Sequence, residues 1–243
     1  RLATSRTFWV KKMQGIAHCH NLPLDYARPL QQSYRGKQIQ VENSRTLHES
    51  LMALSRRHEV TLFMTLQSAF AVLISRYSGE HDVVMGTPVA NRPLAKLHDT
   101  VGCFVNTLVL RSDLASDPRF LDLLRLTKQM ALDAYAHQDF PFEKLVEALQ
   151  PSRTLNHSPI FQVMFILQNN EDVALALPGV AAKIQDATEV SAKFDLTLSV
   201  HETANGLSAT WEYCADIFDG ETIERMAANF STLLNAIVHN ADE

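Results

Sequence analysis

The run Val101–Arg111 constrains the fold of this chain more than any other stretch. Its residues are uncharged until Arg111, and valine and leucine dominate its second half. Such a run predicts a strand that is buried on both faces of a sheet. One amide, Asn106, interrupts the run, and an unpaired amide in an apolar strand costs on the order of 1–3 kcal/mol. Asn106 therefore needs a partner, which the residues alone allow to be either a protein group or a ligand.

Helices and strands alternate irregularly along the rest of the chain. Helices are predicted over 1–15, 46–57, 62–78, 140–149 and 219–238, mostly from apolar residues at three- and four-residue steps. Strands are predicted over 38–42, 82–88, 161–167, 194–200 and 207–213. Asp117–Pro118 predicts the start of a further helix that ends near Ala136, and Asn205–Gly206 predicts a hairpin turn. The pattern predicts a two-layer α/β sandwich with a mixed sheet and helices on one side.

Composition argues against several classes of function. The 243 residues are 46% hydrophobic and 20% charged, which is typical of a globular protein with a sizeable core. The net charge of −5 is spread over interspersed acids and bases, so a nucleic-acid partner is not expected. No apolar run approaches the roughly 20 residues that span a bilayer, so no membrane partner is expected, and no signal peptide opens the chain. Three widely spaced cysteines argue against a disulfide framework and favour a cytoplasmic location.

Two histidine-containing motifs are candidates for chemistry. His18–Cys19–His20, with Asp25 nearby, offers metal-binding side chains, but no second cluster completes a tetrahedral set, so a surface loop is the favoured interpretation. In His137–Gln138–Asp139 the acid could orient the histidine as a general base. The favoured interpretation is a histidine that stabilises a helix C-terminus, because the next residues, Phe140–Pro141–Phe142, are typical of packing. Motifs alone therefore define no catalytic group and no metal site.

Four stretches taken together resemble the C-terminal half of a nonribosomal peptide synthetase condensation domain, a member of the chloramphenicol acetyltransferase-like superfamily. Residues 101–111 resemble the family's GxFVNT…R motif, and residues 137–143 resemble HQDxPFE. Residues 151–165 resemble SRxxxxSPxFQVMF, and residues 8–29 resemble the stretch that links the family's two lobes. Each motif alone is weak, but four in order and at suitable spacing make the resemblance specific.

The resemblance implies two lobes that face each other across a tunnel. Carrier proteins dock at opposite ends, and each inserts a phosphopantetheine arm that bears a thioester. The acceptor's amine attacks the donor's thioester, which forms the peptide bond. The arms are substrates, so no directly bound cofactor and no metal are expected.

The family's active-site motif, HHxxxDG, lies in the N-terminal lobe and does not occur in these 243 residues. The chain, which also begins without an initiator methionine, is therefore expected to be the C-terminal lobe, with no catalytic residue and no activity of its own. The resemblance assigns residues 1–33 to the inter-lobe linker region, about 87–100 to a floor loop and about 171–193 to a latch. The implied partners are the N-terminal lobe, the upstream and downstream carrier proteins and an adjacent adenylation domain.

The resemblance assigns the tunnel wall to Asn106, to Gly102 and Phe104 beside it, and to Asn169. A carboxamide has two donors and an acceptor, which suits an amide-rich arm or a developing oxyanion. A structural bond remains an equal alternative for Asn106.

Four further residues are assigned with less specific roles. Arg111 and Arg153 are expected to hold loops or to meet a carrier's phosphate or acidic surface. Gln138 and Asp139 are expected to be structural.

Three rival interpretations follow from the same stretches. A condensation-like module that lacks the histidines and recruits partner proteins stays open. An epimerisation domain shares the fold but departs from the FVNT sequence found at 104–107, so it is disfavoured. A free-standing acyltransferase half that uses coenzyme A is disfavoured by the pairing of the FVNT and HQDxPFE motifs.

Overall fold

The computed structural model describes residues 2–92, 97, 100–151, 154–168 and 190–241. The helices in this part of the chain are α1 (Leu2–Lys12), α2 (Arg45–Arg57), α3 (Leu62–Ser78), α4 (Phe120–Ala136), α5 (Phe142–Leu149) and α6 (Gly220–Asn240). The strands are β1 (Arg35–Ser44), β2 (Asp82–Val89), β3 (Asn106–Asp113), β4 (Val163–Gln168), β5 (Val190–Ser191), β6 (Leu196–Thr203) and β7 (Gly206–Cys214).

Within the described residues the strands form one mixed sheet in the order β3-β2-β4-β6-β7-β1-β5. Strands β2, β4 and β6 are parallel neighbours, and the other neighbouring pairs are antiparallel. The hairpin predicted at Asn205–Gly206 joins β6 to β7, with Thr203 paired to Gly206. The predicted two-layer α/β sandwich with a mixed sheet is confirmed.

Capping residues set several helix ends. The Ser44 hydroxyl accepts a hydrogen bond from the Leu47 N–H, and the Thr61 hydroxyl accepts one from the Met64 N–H. Each cap satisfies one of the donors that a helix leaves unpaired at its start. Gly79 closes α3 at φ 71°, a left-handed conformation that glycine adopts without steric cost. The sequence predicts these ends because each cap depends only on neighbouring residues.

The strand predicted at Val101–Arg111 is wrong over its first half. Residues 101–105 belong to the connection from β2, where Val101 is fully exposed, and the strand begins at Asn106. The apolar character of this stretch therefore reflects something other than burial within this chain. Burial on both faces does hold for the consecutive residues Leu108–Leu110.

The predicted start of α4 at Asp117–Pro118 is also wrong. Asp117 has φ 45°, and its N–H bonds the Leu114 carbonyl, so these residues close a turn before the helix. The helix begins at Phe120 instead.

An aromatic cluster joins the helix layer to the sheet. Phe70 of α3 lies 5.9 Å from Phe165 of β4, 5.8 Å from Trp211 of β7 and 6.1 Å from Phe230 of α6, measured between ring centroids. None of the four side chains is more than 1% exposed. Tilted and edge-on ring pairs contribute about 0.5–1.5 kcal/mol beyond their buried area.

Among the described residues no single helix is long and apolar enough to span a membrane, and α2 and α3 meet that criterion only as a pair bent by 105°.

Helix α5 lies on the opposite face of the sheet from α3. Met85 of β2 contacts Gln67 of α3, so the next residue, Gly86, points the other way. A Cβ on Gly86 would lie 2.3 Å from the ring of Phe161, and Phe161 packs 5.5 Å from Phe142 of α5. In addition to the predicted helix layer on one face of the sheet, α5 therefore covers part of the other face beside β2.

A buried carboxylate ties the N-terminal segment to the sheet. Asp195 is 1% exposed and accepts hydrogen bonds from both terminal nitrogens of Arg28, at 2.9 and 2.5 Å. The Nε2 of His20 lies 2.7 Å from the same carboxylate. Because the Leu22 N–H donates to His20 Nδ1, the ring hydrogen lies on Nε2 and points at Asp195. Burial opposes the charge of Asp195, but the hydrogen bonds from Arg28 and His20 outweigh it and lower its pKa.

Gln162, which is also buried, extends this network. Its amide nitrogen donates to the carbonyls of Ser158 and His18, and its amide oxygen accepts from the His20 N–H. Its backbone carbonyl accepts from the Asp195 N–H, 2.9 Å away. Residues 18–28 are thereby fixed across the strand ends at which β4 and β6 begin.

We expect Asp195→Asn to lower the free energy of unfolding by about 3 kcal/mol or more, because removing one member of a buried ion pair leaves the other without a counter-charge. Urea denaturation followed by the fluorescence of the buried Trp9 and Trp211 measures this. Asp117→Asn is the matched control: its pair with Arg76 is highly exposed, so its effect should stay within about 1 kcal/mol. Equal effects of the two substitutions would contradict the role of Asp195.

The same network predicts a pH dependence. A carboxyl with a lowered pKa in the folded state stabilises the fold above its unfolded pKa, about 3.9 for aspartate, and loses that contribution as the pH falls through its folded pKa. The difference in unfolding free energy between the wild type and Asp195→Asn should therefore shrink as the pH falls below about 4. A difference that grew below about pH 4 would rule out this account.

Candidate functional site

Two connections leave the same edge of the sheet. Because β2, β4 and β6 run parallel, their C-terminal ends meet at one edge. The chain leaves β2 at Val89 and returns at Asn106, which is paired directly with Val89. It also leaves β4 at Gln168 there. This edge brings together the predicted residues Gly102, Phe104 and Asn106.

Protein backbone groups use the whole carboxamide of Asn106. Its Nδ2 donates to the carbonyls of Gln138 and Phe140, both at 2.8 Å. Its Oδ1 accepts from the Phe142 N–H at 3.1 Å. Both amide hydrogens and one acceptor position are therefore engaged within the chain. Asn106 holds the turn between α4 and α5, which carries the chain around the edge strand β3 from one sheet face to the other.

Helix α1 packs against the same turn between α4 and α5. The Trp9 indole N–H donates to the His137 carbonyl at 3.0 Å, and the His137 ring stacks on Phe8 at 4.1 Å. The Ser5 hydroxyl lies 3.0 Å from Nδ1 of His137 and reaches Asp139 at 3.5 Å. These contacts place His137 at a helix end among packing residues, as the sequence predicts.

Arg92 organises the connection between β2 and β3. Its guanidinium donates to the carbonyls of Leu97, Thr100 and Gly102, the last two at 2.7 and 3.1 Å. Its Cζ lies 4.4 Å from the centroid of the Phe104 ring. Arg92 is not among the residues that the sequence predicts for the site. The signal that could have found it is an arginine in a long connection between two predicted strands.

Arg111 lies away from this edge. Two of its nitrogens meet the two oxygens of Asp82 at 2.8 Å, and a third donates to the carbonyls of Lys12 and Gln14 at 2.9 Å. The hydrogen bond to Asp82 raises the pKa of Arg111. Arg111 lies five positions after Asn106 along β3, which corresponds to a distance of about 17 Å. Arg111 therefore fixes the end of α1; its predicted contact with a carrier protein stays a prediction.

The remaining sequence candidates are the histidine–cysteine motif, Asn169, Arg153 and the two assigned segments. His20 of the histidine–cysteine motif is bound to Asp195, and the described residues contain no group of three side chains that could hold a metal ion. Asn169 and Arg153 lie outside the described residues. The assigned floor loop is described at 87–92, 97 and 100, and the assigned latch at 190–193, where β5 pairs with the start of β1.

Comparison with known proteins is consistent along the whole chain. The family model described as "Condensation domain" matches residues 1–243. A linear gramicidin synthase of Brevibacillus parabrevis is 45% identical over 239 residues, which cover 98% of this chain and 5% of that protein. The dimodular nonribosomal peptide synthase of Bacillus subtilis is 39% identical over 248 residues, covering 100% of this chain and 10% of that protein. The chain thus spans a small fraction of these relatives.

Solved structures agree. The X-domain from teicoplanin biosynthesis superposes with a TM-score of 0.93 at 25% identity, covering 100% of this chain and 56% of that one. The four-domain nonribosomal peptide synthetase AB3403 superposes with a TM-score of 0.88 at 26% identity, covering 97% and 19%. The family model, the relatives and the fold all lead to one assignment: the chain belongs to the condensation-domain family.

Proposed function

We propose that this chain is the C-terminal lobe of a nonribosomal peptide synthetase condensation domain, which forms a peptide bond between carrier-bound donor and acceptor thioesters. One observation carries the proposal. The chain superposes from end to end on 56% of the X-domain chain, a length that suits one of two lobes. The identity of 45% to two linear gramicidin synthases supports the peptide-forming branch of the family.

In this proposal the sheet edge at which β2 and β4 end faces the other lobe. The β2–β3 connection serves as the floor loop, and Gly102, Phe104 and Asn106 border the tunnel, together with Asn169. The exposure of Val101 and Val105, at 100% and 63%, supports this, because apolar side chains left exposed at one sheet edge suit a surface that another lobe covers.

The chemistry is divided between the lobes. The other lobe supplies HHxxxDG, whose second histidine either positions the acceptor's amine for attack on the donor's thioester carbonyl or stabilises the tetrahedral intermediate of that attack. This lobe supplies no reacting group; it walls the tunnel, holds the two phosphopantetheine arms as substrates and excludes water from the thioester. The partners are the N-terminal lobe, the two carrier proteins and an adjacent adenylation domain, in the cytoplasm.

Asn106 acts through the backbone that it holds. By fixing the α4–α5 turn it sets where the start of β3, and with it Phe104, lies along the tunnel.

A second candidate function is a condensation-like module that recruits a partner protein. The superposition on an X-domain solved in complex with OxyB, with a TM-score of 0.89, favours this alternative. An intact HHxxxDG in the preceding lobe would favour the enzyme, and a degenerate motif would favour the recruiting module.

We expect this chain alone to form no peptide bond, and the chain joined to a preceding lobe with HHxxxDG to do so. The assay supplies two loaded carrier proteins and follows the dipeptidyl thioester by mass spectrometry. The control is the joined protein with the second motif histidine replaced by alanine, which should be inactive. Turnover by this chain alone would contradict the division of labour, and an inactive joined protein would favour the recruiting module.

We expect Asn106→Ala to lower the free energy of unfolding by about 1–3 kcal/mol, because it leaves two carbonyls and one N–H without their partner. Asn106→Asp should be no more stable than Asn106→Ala, since one carboxylate oxygen would face the carbonyls of Gln138 and Phe140 and repel them. Urea denaturation of the joined protein measures both variants. Gln168→Ala is the control, because that exposed carboxamide bonds the Ser199 hydroxyl and no other group among the described residues. A stable Asn106→Asp variant would show that Asn106 does not hold the turn.

A further inference from the structure

Arg92 makes an unusual number of contacts for a residue in a connection. It follows Val89, the last paired residue of β2, by three positions. From there its guanidinium reaches forward to three carbonyls, those of Leu97, Thr100 and Gly102. A guanidinium carries five N–H donors in a rigid plane, so one side chain can hold several turns of backbone at once.

The same guanidinium holds Phe104. The Arg92 Cζ lies 4.4 Å from the ring centroid, a geometry in which a cation is attracted to the face of the ring. Gly102 makes room for this arrangement, since a Cβ at its φ of 157° would lie 3.1 Å from the Phe104 ring. Arg92 therefore fixes both the carbonyl of Gly102 and the ring of Phe104, two of the residues proposed to border the tunnel.

We propose that Arg92 is a positioning residue for condensation: it holds Gly102 and Phe104 in the positions in which they border the carrier-borne substrate. The inference rests on the proposed function. Arg92 acts through these two residues and takes no part in bond making, so its loss affects the geometry of the bound arm and not the docking of the carrier body.

The chemistry of arginine distinguishes this role from a general need for positive charge. A lysine ammonium is a compact charge with three donors and no planar face. In Arg92 one terminal nitrogen bonds two carbonyls, the other terminal nitrogen bonds a third, and the guanidinium plane stacks on a ring. A lysine ammonium cannot make all of these contacts at the same time. Arg92→Lys keeps the charge but should lose the geometry.

The kinetic test uses the complete domain with both lobes and two loaded carriers. Arg92→Ala and Arg92→Lys should each lower kcat about tenfold to a hundredfold, as expected for a small displacement of a reacting group, with KM for either carrier within about twofold of the wild type. Free guanidinium at low millimolar concentration should partly restore Arg92→Ala and should not restore Arg92→Lys. Arg125→Ala is the matched control, because that exposed α4 arginine pairs with Asp122 and should leave kcat unchanged.

A second measurement does not depend on activity. Cys103 is exposed, whereas Cys214 is buried and Cys19 is half-buried, so a nitroxide label at Cys103 reports on the connection once other reactive cysteines are replaced. Its spectrum should narrow in Arg92→Ala and stay unchanged in Arg125→Ala. Should Arg92→Ala fail to fold, Arg92→Gln, which keeps an amide donor, replaces it in both measurements.

The outcomes separate the two proposals. An inactive wild-type domain would overturn the proposed function, while the label would still test the contacts of Arg92. An active wild type with unchanged kcat in Arg92→Ala, or with full activity in Arg92→Lys, would overturn the positioning role. An unchanged nitroxide spectrum in Arg92→Ala would do the same.

Discussion

The buried carboxylate of Asp195 is the constraint on which the arrangement of the described fold depends. A charge that is 1% exposed is tolerated only if its oxygens are fully bonded. Arg28 and His20 provide those bonds from a segment that has no helix or strand of its own. The segment must therefore cross the strand ends at the point where β4 and β6 begin. Gln162 bonds the backbone of the same segment, so the position of the N-terminal residues follows from the need to neutralise one charge.

The opposite edge of the sheet is built in a different way. There the chain leaves β2 and β4, and side chains bond the backbone of the described residues around this edge. Asn106 holds the α4–α5 turn, and Arg92 holds the connection that precedes β3. Asn106 bonds backbone groups, and Arg92 bonds backbone carbonyls and stacks on Phe104, so each helps to fix the path of the chain. This order at one edge, combined with the exposed Val101 and Val105, is consistent with the proposal that a second lobe covers it.

Local patterns predicted much of the fold and less of the site. The helix ends at Thr61 and Gly79 and the hairpin at Asn205–Gly206 depend on neighbouring residues, so the sequence contains the whole signal. The start of β3 was predicted at Val101 and not at Asn106, because an apolar run looks the same whether it is buried in the fold or exposed at the edge of the sheet. The sequence analysis did not single out Asp195 or Arg92, since their partners lie far along the chain or are backbone carbonyls.

The sequence by itself determined the family, through four motifs in order, and the class of fold, through the spacing of its apolar residues. It also showed that Asn106 must have a partner. The tertiary structure decided which partner it is: three backbone groups of the α4–α5 turn, 32 to 36 residues away. A hydrogen bond is satisfied by any group that the fold brings within about 3 Å. A sequence can therefore require such a bond, but only the packed chain selects the group that forms it.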